Sequence, residues 1–566
     1  MYYSTVGIDS FREIRINALS YVDKTKFIKL IVERGHPKVS LFTRPRRFGK
    51  TLILSMLAEF FDINKKSTEL FADLEIAKDQ EFCATWMNQY PIINISLKQM
   101  NMMDYDQCLY NFSSSISQVC FDNDYLLTSK KVKSIDQNKL QKLYEQTATF
   151  GDLGQALYIL CRALNSHWGK QVILLLDEYD VPLNSAWQHD YYSKMLNFIR
   201  NVFGYAFKGN EYLKFAIIIG CLRISKESIF TGVNNFKCFP INQSQYADMF
   251  GFTDQEVDHL LELAHCMHKK QEFKAWYDGY RFGNTSDIYC PWDVVNYLYD
   301  LKDNKHCKPQ NYWLNSSSND VIKKIIKFCT FDVKNTLETL LNRGTILCKI
   351  VNTTTYENIY NSEINLLNLL YHTGYLTKAK ETNCANERYL EVDTELLRIP
   401  NAEIADIFVD VVDEWFKYQL ETKEHVDLLN SFWSADSQTF TQILSDLLMQ
   451  TISYYDYHEN YYHAFIVGLF SSLKYVVKSN IETGLGRSDI VIYDSQQHPK
   501  MGACIEVKRA NAYTSLHNDA HKALIQINQN KYDEEFKNKN LQIIHWGISF
   551  YKKSCCAISK IIEVKL

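Results

Sequence analysis

Glycine and proline are scarce in this sequence, 20 and 9 among 566 residues, which excludes a collagen-like or low-complexity chain. Charge of one sign is missing as well. Against 62 Lys+Arg stand 66 Asp+Glu, a formal net charge of −4, so a polycation that grips nucleic acid through bulk charge is excluded and any such site must be a local patch. The longest apolar run that stands out, Phe215 to Leu222, is eight residues, where a membrane-spanning helix needs about 20. The N-terminal residues Met1 to Thr5 carry no basic stretch and lead into no hydrophobic run, so neither secretory signal nor membrane partner is expected and the compartment is the cytoplasm. The 15 cysteines include no CxxC pair, which reads as reduced, mostly buried thiols and excludes a disulfide framework or a zinc site.

What remains is an ordinary globular composition, 46% apolar and 23% charged, long enough for about two or three cores. Nearly all-apolar segments at 39–43, 91–96, 171–176 and 215–219 alternate with segments of helical spacing, which implies a parallel sheet covered by helices on both faces. From about residue 245 the spacing is mainly helical. The run Leu366 to Gly374, followed by Tyr375-Leu376-Thr377 and a polar loop to Tyr389-Leu390-Glu391-Val392, suits a winged helix or a plain helix–hairpin connector. After Glu459 the pattern becomes helix, strand, strand, helix, strand, a separate α/β domain. The expected division is 1–240, 241–430 and 431–566.

Arg44-Pro45-Arg46-Arg47-Phe48-Gly49-Lys50-Thr51 links the first strand to an amphipathic helix. A phosphate-binding loop needs a glycine-rich turn, a lysine for the β/γ oxygens and a hydroxyl for Mg²⁺. Gly49, Lys50 and Thr51 supply the end of that pattern, Arg44 stands where its first glycine belongs, and Arg44, Arg46 and Arg47 make the loop cationic. Taken alone, this is equally an accidental strand–helix junction. The strand Val172 to Leu176 ends in Asp177-Glu178, where the first carboxylate would hold Mg²⁺ and the second would orient water. A third strand leads into Arg223, a candidate sensor of the γ-phosphate.

The other constellation is Asp489, then Glu506 and Lys508 two apart on one strand and therefore on one face. If 489–494 pair with 503–508, Asp489 lies opposite Lys508 and diagonal to Glu506. Carboxylates flanking a metal position beside an ammonium suit metal-assisted phosphodiester hydrolysis; a cross-strand salt bridge on a solvated face is the bland alternative. Gln526, on the following helix, would face the site. Residues 501–566 hold 10 Lys/Arg and 6 Asp/Glu, compatible with a polyanionic substrate. His458-Glu459 and His463 imitate a zinc-protease helix, but their spacing of five puts the histidines about 140° apart. Glu459 makes better sense as an extra carboxylate.

These stretches, with Tyr21-Val22-Asp23-Lys24-Thr25, Leu176-Asp177-Glu178-Tyr179-Asp180, Trp276-Tyr277-Asp278-Gly279-Tyr280-Arg281-Phe282, Arg398-Ile399-Pro400-Asn401 and Gly484-Leu485-Gly486-Arg487-Ser488-Asp489, closely resemble a bacterial family that fuses an AAA-ATPase-like domain to a C-terminal PD-(D/E)XK nuclease-like domain. The resemblance implies a P-loop NTPase sheet, a mainly helical middle and a restriction-endonuclease-like α/β domain. It implies ATP and Mg²⁺ as cofactors, with Arg44, Arg46, Arg47, Phe48, Gly49, Lys50, Thr51 and Arg223 on the nucleotide, and Thr51 and Asp177 on its metal. Glu178 would complete the ATPase site. Asp489, Glu506 and Lys508 would form the nuclease triad, Glu459 and Gln526 would be accessory, and Glu459, Asp489 and Glu506 would hold metal. The expected function is an ATP-dependent or ATP-regulated Mg²⁺ nuclease acting on nucleic acid, DNA ahead of RNA, in a mobile-element or defence setting. The competing expectation is a nucleotide-dependent switch or binding module whose nuclease-like domain is catalytically silent.

Overall fold

The computed structural model describes residues 2–33, 35, 37–222, 236–313, 334–341, 343–351, 362–379, 393–409, 424–451, 459–472, 476–483, 486–493, 501–530 and 542–562. The chain divides into two compact units, one formed by 1–318 with 343–406 and the other by 319–342 with 407–566.

The first unit is built on the parallel sheet that the apolar segments imply. Its strands are β1 (Val39–Thr43), β2 (Ile92–Ser96), β3 (Val172–Asp177), β4 (Leu213–Gly220) and β5 (Phe236–Phe239). Their order is β2-β3-β4-β1-β5, every pairing parallel. β5 is a fifth strand that the apolar pattern missed, because Phe236-Lys237-Cys238-Phe239 is short and interrupted by a charge. β1, β3 and β4 are almost wholly buried, as strands covered on both faces must be. Helix Lys50–Phe61 buries Ile53, Leu54, Met56, Leu57, Phe60 and Phe61 in the main core. β1 and β3 flank β4, so the turns after all three open at one end of the sheet, where ligands of such sheets bind.

The middle segment is mainly helical, with two small antiparallel sheets. β6 (Phe252–Thr253), β7 (Tyr280–Phe282) and β8 (Thr285–Tyr289) run in the order β6-β8-β7. The aromatic stretch at 276–283 thus spans the end of helix Lys270–Tyr277 and the strand β7. β9 (Ile346–Lys349), β10 (Thr377–Lys378) and β11 (Thr394–Arg398) run in the order β10-β11-β9. Helix Glu363–Thr373 leads into β10, the helix-then-strands arrangement expected here, and the loop 380–392 that would form the wing lies outside the described residues. Leu366 through His372 of that helix are all buried. Seven consecutive residues go all the way round the helix, so this stretch of it is a core element.

The second unit carries β12 (Val476–Thr483), β13 (Gly486–Tyr493), β14 (Met501–Arg509), β15 (Gln542–Tyr551) and β16 (Ser554–Ile562), adjacent in that order. All neighbours are antiparallel except β14 and β15, which are parallel and joined through helix Leu516–Asn530. β12 and β16 extend the sheet beyond the expected strands. Their polar residues, Lys478, Ser479, Asn480 and Glu482 in one and Ser554, Ser559 and Lys560 in the other, suit edge positions and hide them from an apolar-run search. At Gly547 an added Cβ would meet Ala520 O at 2.2 Å and Leu524 N at 2.6 Å. Only glycine lets the crossover helix lie this close to β15.

One buried acid pair joins two helix starts of the first unit. Asp293, in the first turn of helix Pro291–Asp303, and Glu403, at the start of helix 402–409, are both buried. Glu403 Oε1 accepts from the Trp313 N–H at 2.9 Å. Glu403 Oε2 and Asp293 Oδ1 have no hydrogen-bond donor among the described residues, and each carboxyl acts on the protonation of the other. One proton must therefore be shared between them. Burial first, and Asp293 second, push the Glu403 carboxyl far above its ordinary range. A folded pKa raised above the unfolded one contributes stability that is complete below the ordinary carboxylate range and is lost as pH rises toward the raised value. Thermal unfolding followed from about pH 6 to about pH 9 is expected to show falling stability in the native chain and a flatter profile in Glu403→Gln; parallel profiles would remove the shared proton.

Candidate functional site

At the open end of the first sheet, β1 runs into the loop 44–49 and helix Lys50–Phe61. Gly49 has φ +74°, the left-handed backbone that a glycine adopts without strain, and it caps the helix that Lys50 begins. Lys50 Nζ donates to the carbonyls of Arg44 at 3.2 Å and Pro45 at 2.8 Å, and lies 3.4 Å from Cys221 Sγ at the end of β4. Thr51 Oγ1 donates to Asp177 Oδ2 at 2.7 Å. The lysine, hydroxyl and first carboxylate are therefore assembled in one place from the ends of two strands, β1 and β3, with Cys221 beside them just past β4. Burial raises the Asp177 pKa, the Thr51 hydrogen bond lowers it and neighbouring Glu178 raises it again. Glu178 adopts φ +50°, a strained conformation for a residue with a side chain and one that concentrates at functional sites. Its N–H donates to Asp177 Oδ1 at 3.0 Å.

Asp180 was the residue whose role the sequence did not disclose. It is buried, and its Oδ2 accepts from the N–H groups of Cys221 and Leu222, each at 3.0 Å. Tyr179 reaches the same turn, its hydroxyl donating to Leu222 O. At Gly220 a Cβ would strike the Tyr179 ring at 2.6 Å and Asp180 Oδ1 at 2.6 Å. The Asp-Glu-Tyr-Asp turn thus clamps the end of β4, and the only signal available beforehand was the extra aspartate in Leu176 to Asp180. Arg223 lies outside the described residues.

The three loop arginines are placed differently. Arg44 is completely buried, its guanidinium donating to Thr43 O at 2.8 Å, Phe239 O at 2.8 Å and Tyr246 O at 3.3 Å. It lies 4.8 Å from the Phe250 ring centroid, and burial lowers its pKa to about 10. Arg47 lies 4.2 Å over the Trp292 ring. Burial works against the charge of Arg46, and Cys221, Tyr375, Asp180 and Glu178 more than restore it. Phe48 packs against Tyr280 and Phe282.

Beside Gly49 and Leu52 opens a small cleft of about 70 Å³, walled mostly by apolar and aromatic residues such as Tyr2, Tyr21, Phe252 and Leu260, with Thr5, Ser20 and Lys24 as polar groups. An apolar slot with a few polar groups is the lining that small-molecule sites commonly have. Tyr2 and Thr5 were not expected there. Lys24, in the motif 21–25, instead ties the N-terminal segment down, its Nζ donating to Glu256 Oε1 at 2.6 Å and Asp248 O at 2.8 Å.

In the second unit, Glu506 and Lys508 share one face of β14. Glu506 is buried, and Lys508 Nζ is 3.4 Å from its Oε1. Pairing of Ile490 with Ile505 and Val491 with Cys504 continues to place Asp489 across from Glu506. The expected register, with Asp489 opposite Lys508, is thus off by two residues, because the intervening loop could not be measured from sequence. Cys504, on the Glu506 face, packs with Ile527 of helix Leu516–Asn530, the helix that carries the half-buried Gln526. Ile505 and Val507, on the other face, pack with Tyr462, Phe465 and Ile466. Glu459 opens that second helix, Glu459–Ser472. His458 lies outside the described residues. Oxygen donors at Thr51 and Asp177, and carboxylates at 489 and 506, are the donor types Mg²⁺ takes.

Residues 5–230 match the family model described as "Predicted AAA-ATPase", and residues 457–560 match that of the PD-(D/E)XK nuclease superfamily. The chain therefore carries an AAA-ATPase-like domain followed by a PD-(D/E)XK nuclease superfamily domain. Over nearly its whole length it is similar to the "Uncharacterized protein in vnfD 5'region" of Azotobacter chroococcum mcd 1, with 23% identity over 574 residues, covering 99% of this chain and 98% of that protein. Among solved structures, a signal transduction ATPase with numerous domains and a tetratricopeptide repeat sensor, from Pyrococcus horikoshii, aligns at 12% identity over 80% of this chain with a TM-score of 0.23. The alignment spans about half, 54%, of that structure.

Arg44→Gly, which restores the usual loop glycine, is expected to destabilise the chain by on the order of 3 kcal/mol, since it strands three buried carbonyls. A thermal midpoint equal to that of the native chain would mean that the loop does not hang on this guanidinium.

Proposed function

We propose that the chain is an ATP-regulated, Mg²⁺-dependent nuclease. Lys50 and Thr51 bind the phosphates and their metal with Asp177, Glu178 orients water, and the apolar cleft beside Gly49 takes the adenine. Asp489, Glu506 and Lys508 cleave the phosphodiester bond, with Gln526 and Glu459 accessory, and DNA is the substrate ahead of RNA. Bound Mg²⁺ supplies Lewis acidity to the phosphate oxygens at both sites. The observation that carries this reading is the 2.7 Å contact between Thr51 and Asp177, which joins two motifs far apart in sequence at the start of the helix that Lys50 opens. In the second unit the buried Glu506 beside Lys508 supports a metal-plus-ammonium site over a solvated ion pair, which would have no reason to bury its carboxylate. A role in defence or in a mobile element is part of the proposal. The switch with a silent nuclease-like domain is the reading left if cleavage is absent.

The test is cleavage of supercoiled plasmid and single-stranded DNA with Mg²⁺ or Mn²⁺, comparing the native chain with Asp489→Ala and Lys508→Ala. Both variants are expected to lose about 10²-fold or more of the rate while ATP binding is retained. Cleavage that persists in Lys508→Ala would sink the site assignment.

A further inference from the structure

At the end of the first sheet opposite loop 44–49, three adjacent parallel strands begin, β3, β4 and β1. Each brings a half-buried lysine: Lys170 two residues before β3, Lys214 as the second residue of β4, and Lys38 directly before β1. Neighbouring strands lie about 4.8 Å apart, so these three starts span roughly 10 Å of one rim. Lys38 Nζ donates to Asn210 O at 2.7 Å, and Lys170 Nζ to Gln89 Oε1 at 3.0 Å. Lys214 Nζ stands 5.3 Å from the ring centroid of Trp86 and 5.6 Å from that of Tyr90, and Lys170 Nζ stands 5.8 Å from Tyr90. The two rings stack with centroids 5.1 Å apart, and Phe82 stacks on Trp86 in turn. The register slips at this point, Val172 pairing with Leu213 but Ile173 with Phe215, which leaves Lys214 as an extra residue. Such a bulge re-aims a side chain, and here the re-aimed ammonium reaches the ring stack.

Carbonyls, an amide and ring faces orient an ammonium without neutralising it. Among the described residues no carboxylate pairs with Lys38, Lys170 or Lys214, and the exposed Glu211 just before β4 pairs with none of them. Elsewhere in this unit lysines do find carboxylates, as Lys65 does Glu59 and Lys270 does Asp258. The rings spend their faces on each other, on Phe82 and on the two ammonium groups, so the rim offers charge rather than a stacking platform for a base.

We propose that this rim holds the sugar–phosphate backbone of duplex DNA without reading its sequence. The identity of the polyanion rests on the nuclease reading of the second unit, while the three lysines are none of the residues assigned to cleavage.

Binding is measured on the full chain by the anisotropy of a labelled DNA duplex over a range of salt concentrations, with EDTA present so that nothing is cut. Lys170→Gln combined with Lys214→Gln is expected to weaken binding by about tenfold per lysine near 0.1 M salt, and to flatten the slope of log K against log salt by about two, the counterions of two phosphates. The loss should be equal on duplexes of unrelated sequence. Lys170→Arg combined with Lys214→Arg keeps both charges and is expected to keep the slope, which separates lost charge from a disturbed fold. Lys65→Gln, whose ammonium is paired with Glu59 at 2.8 Å, is expected to keep it as well. A double glutamine variant with the native slope overturns the rim as a DNA surface, and so does a loss of affinity that is the same at every salt concentration. Cleavage by the same preparation with Mg²⁺, compared with Asp489→Ala, keeps the two readings apart. Cleavage that needs Asp489 beside an unchanged slope removes the rim alone, and a native chain that neither binds nor cuts duplex DNA removes both.

Discussion

The buried guanidinium of Arg44 holds the loop 44–49 in place. A loop with a single glycine cannot wrap a phosphate by backbone freedom alone, and this one is fixed from beneath instead, by a charge that bonds carbonyls of β1, β5 and the segment after β5. Removing a cation from water is expensive, and three carbonyls and two aromatic rings offset that cost. With the base of the loop anchored, its other members point where their surroundings allow: Phe48 into an aromatic pocket, Arg47 onto Trp292, and Lys50 toward Cys221 at the end of β4.

Tight contacts around that anchor fix the rest. Gly374, at the end of helix Glu363–Thr373, would bring a Cβ within 2.7 Å of Pro45 Cβ, and Gly279 one within 2.1 Å of Pro400 O. Both have left-handed backbone, at φ +93° and +105°. The loop, the aromatic strand β7 and the β10-β11-β9 sheet are thus packed as one layer, in which Arg281 N donates to Thr377 Oγ1 at 2.9 Å. A displacement of Pro45 would be felt across this layer, because close-packed interiors shift in discrete steps.

Much of this was legible beforehand. Gly49, Lys50, Thr51 and Asp177-Glu178 read correctly as features on strand ends, because apolar strands that end in charge leave a clear pattern. Glu506 and Lys508 were placed on one face by parity alone. Three things were not legible. The Asp489 register depended on a loop of unknown path. The duty of Asp180 lay in backbone N–H groups of a distant strand, which no spacing rule encodes. The separate placements of Arg44 and Arg47 depend on which aromatic rings and carbonyls fold around each one, information that a run of cations does not contain.

The claim at the centre is that nucleotide bound at Lys50 governs a nuclease at Glu506. It is tested most directly by measuring the DNA cleavage rate of one preparation with ATP, with ADP and with neither, beside Lys50→Ala under the same conditions. A coupled enzyme changes its cleavage rate with the nucleotide, and Lys50→Ala cleaves at one rate throughout. A native rate that is identical in all three states contradicts the coupling.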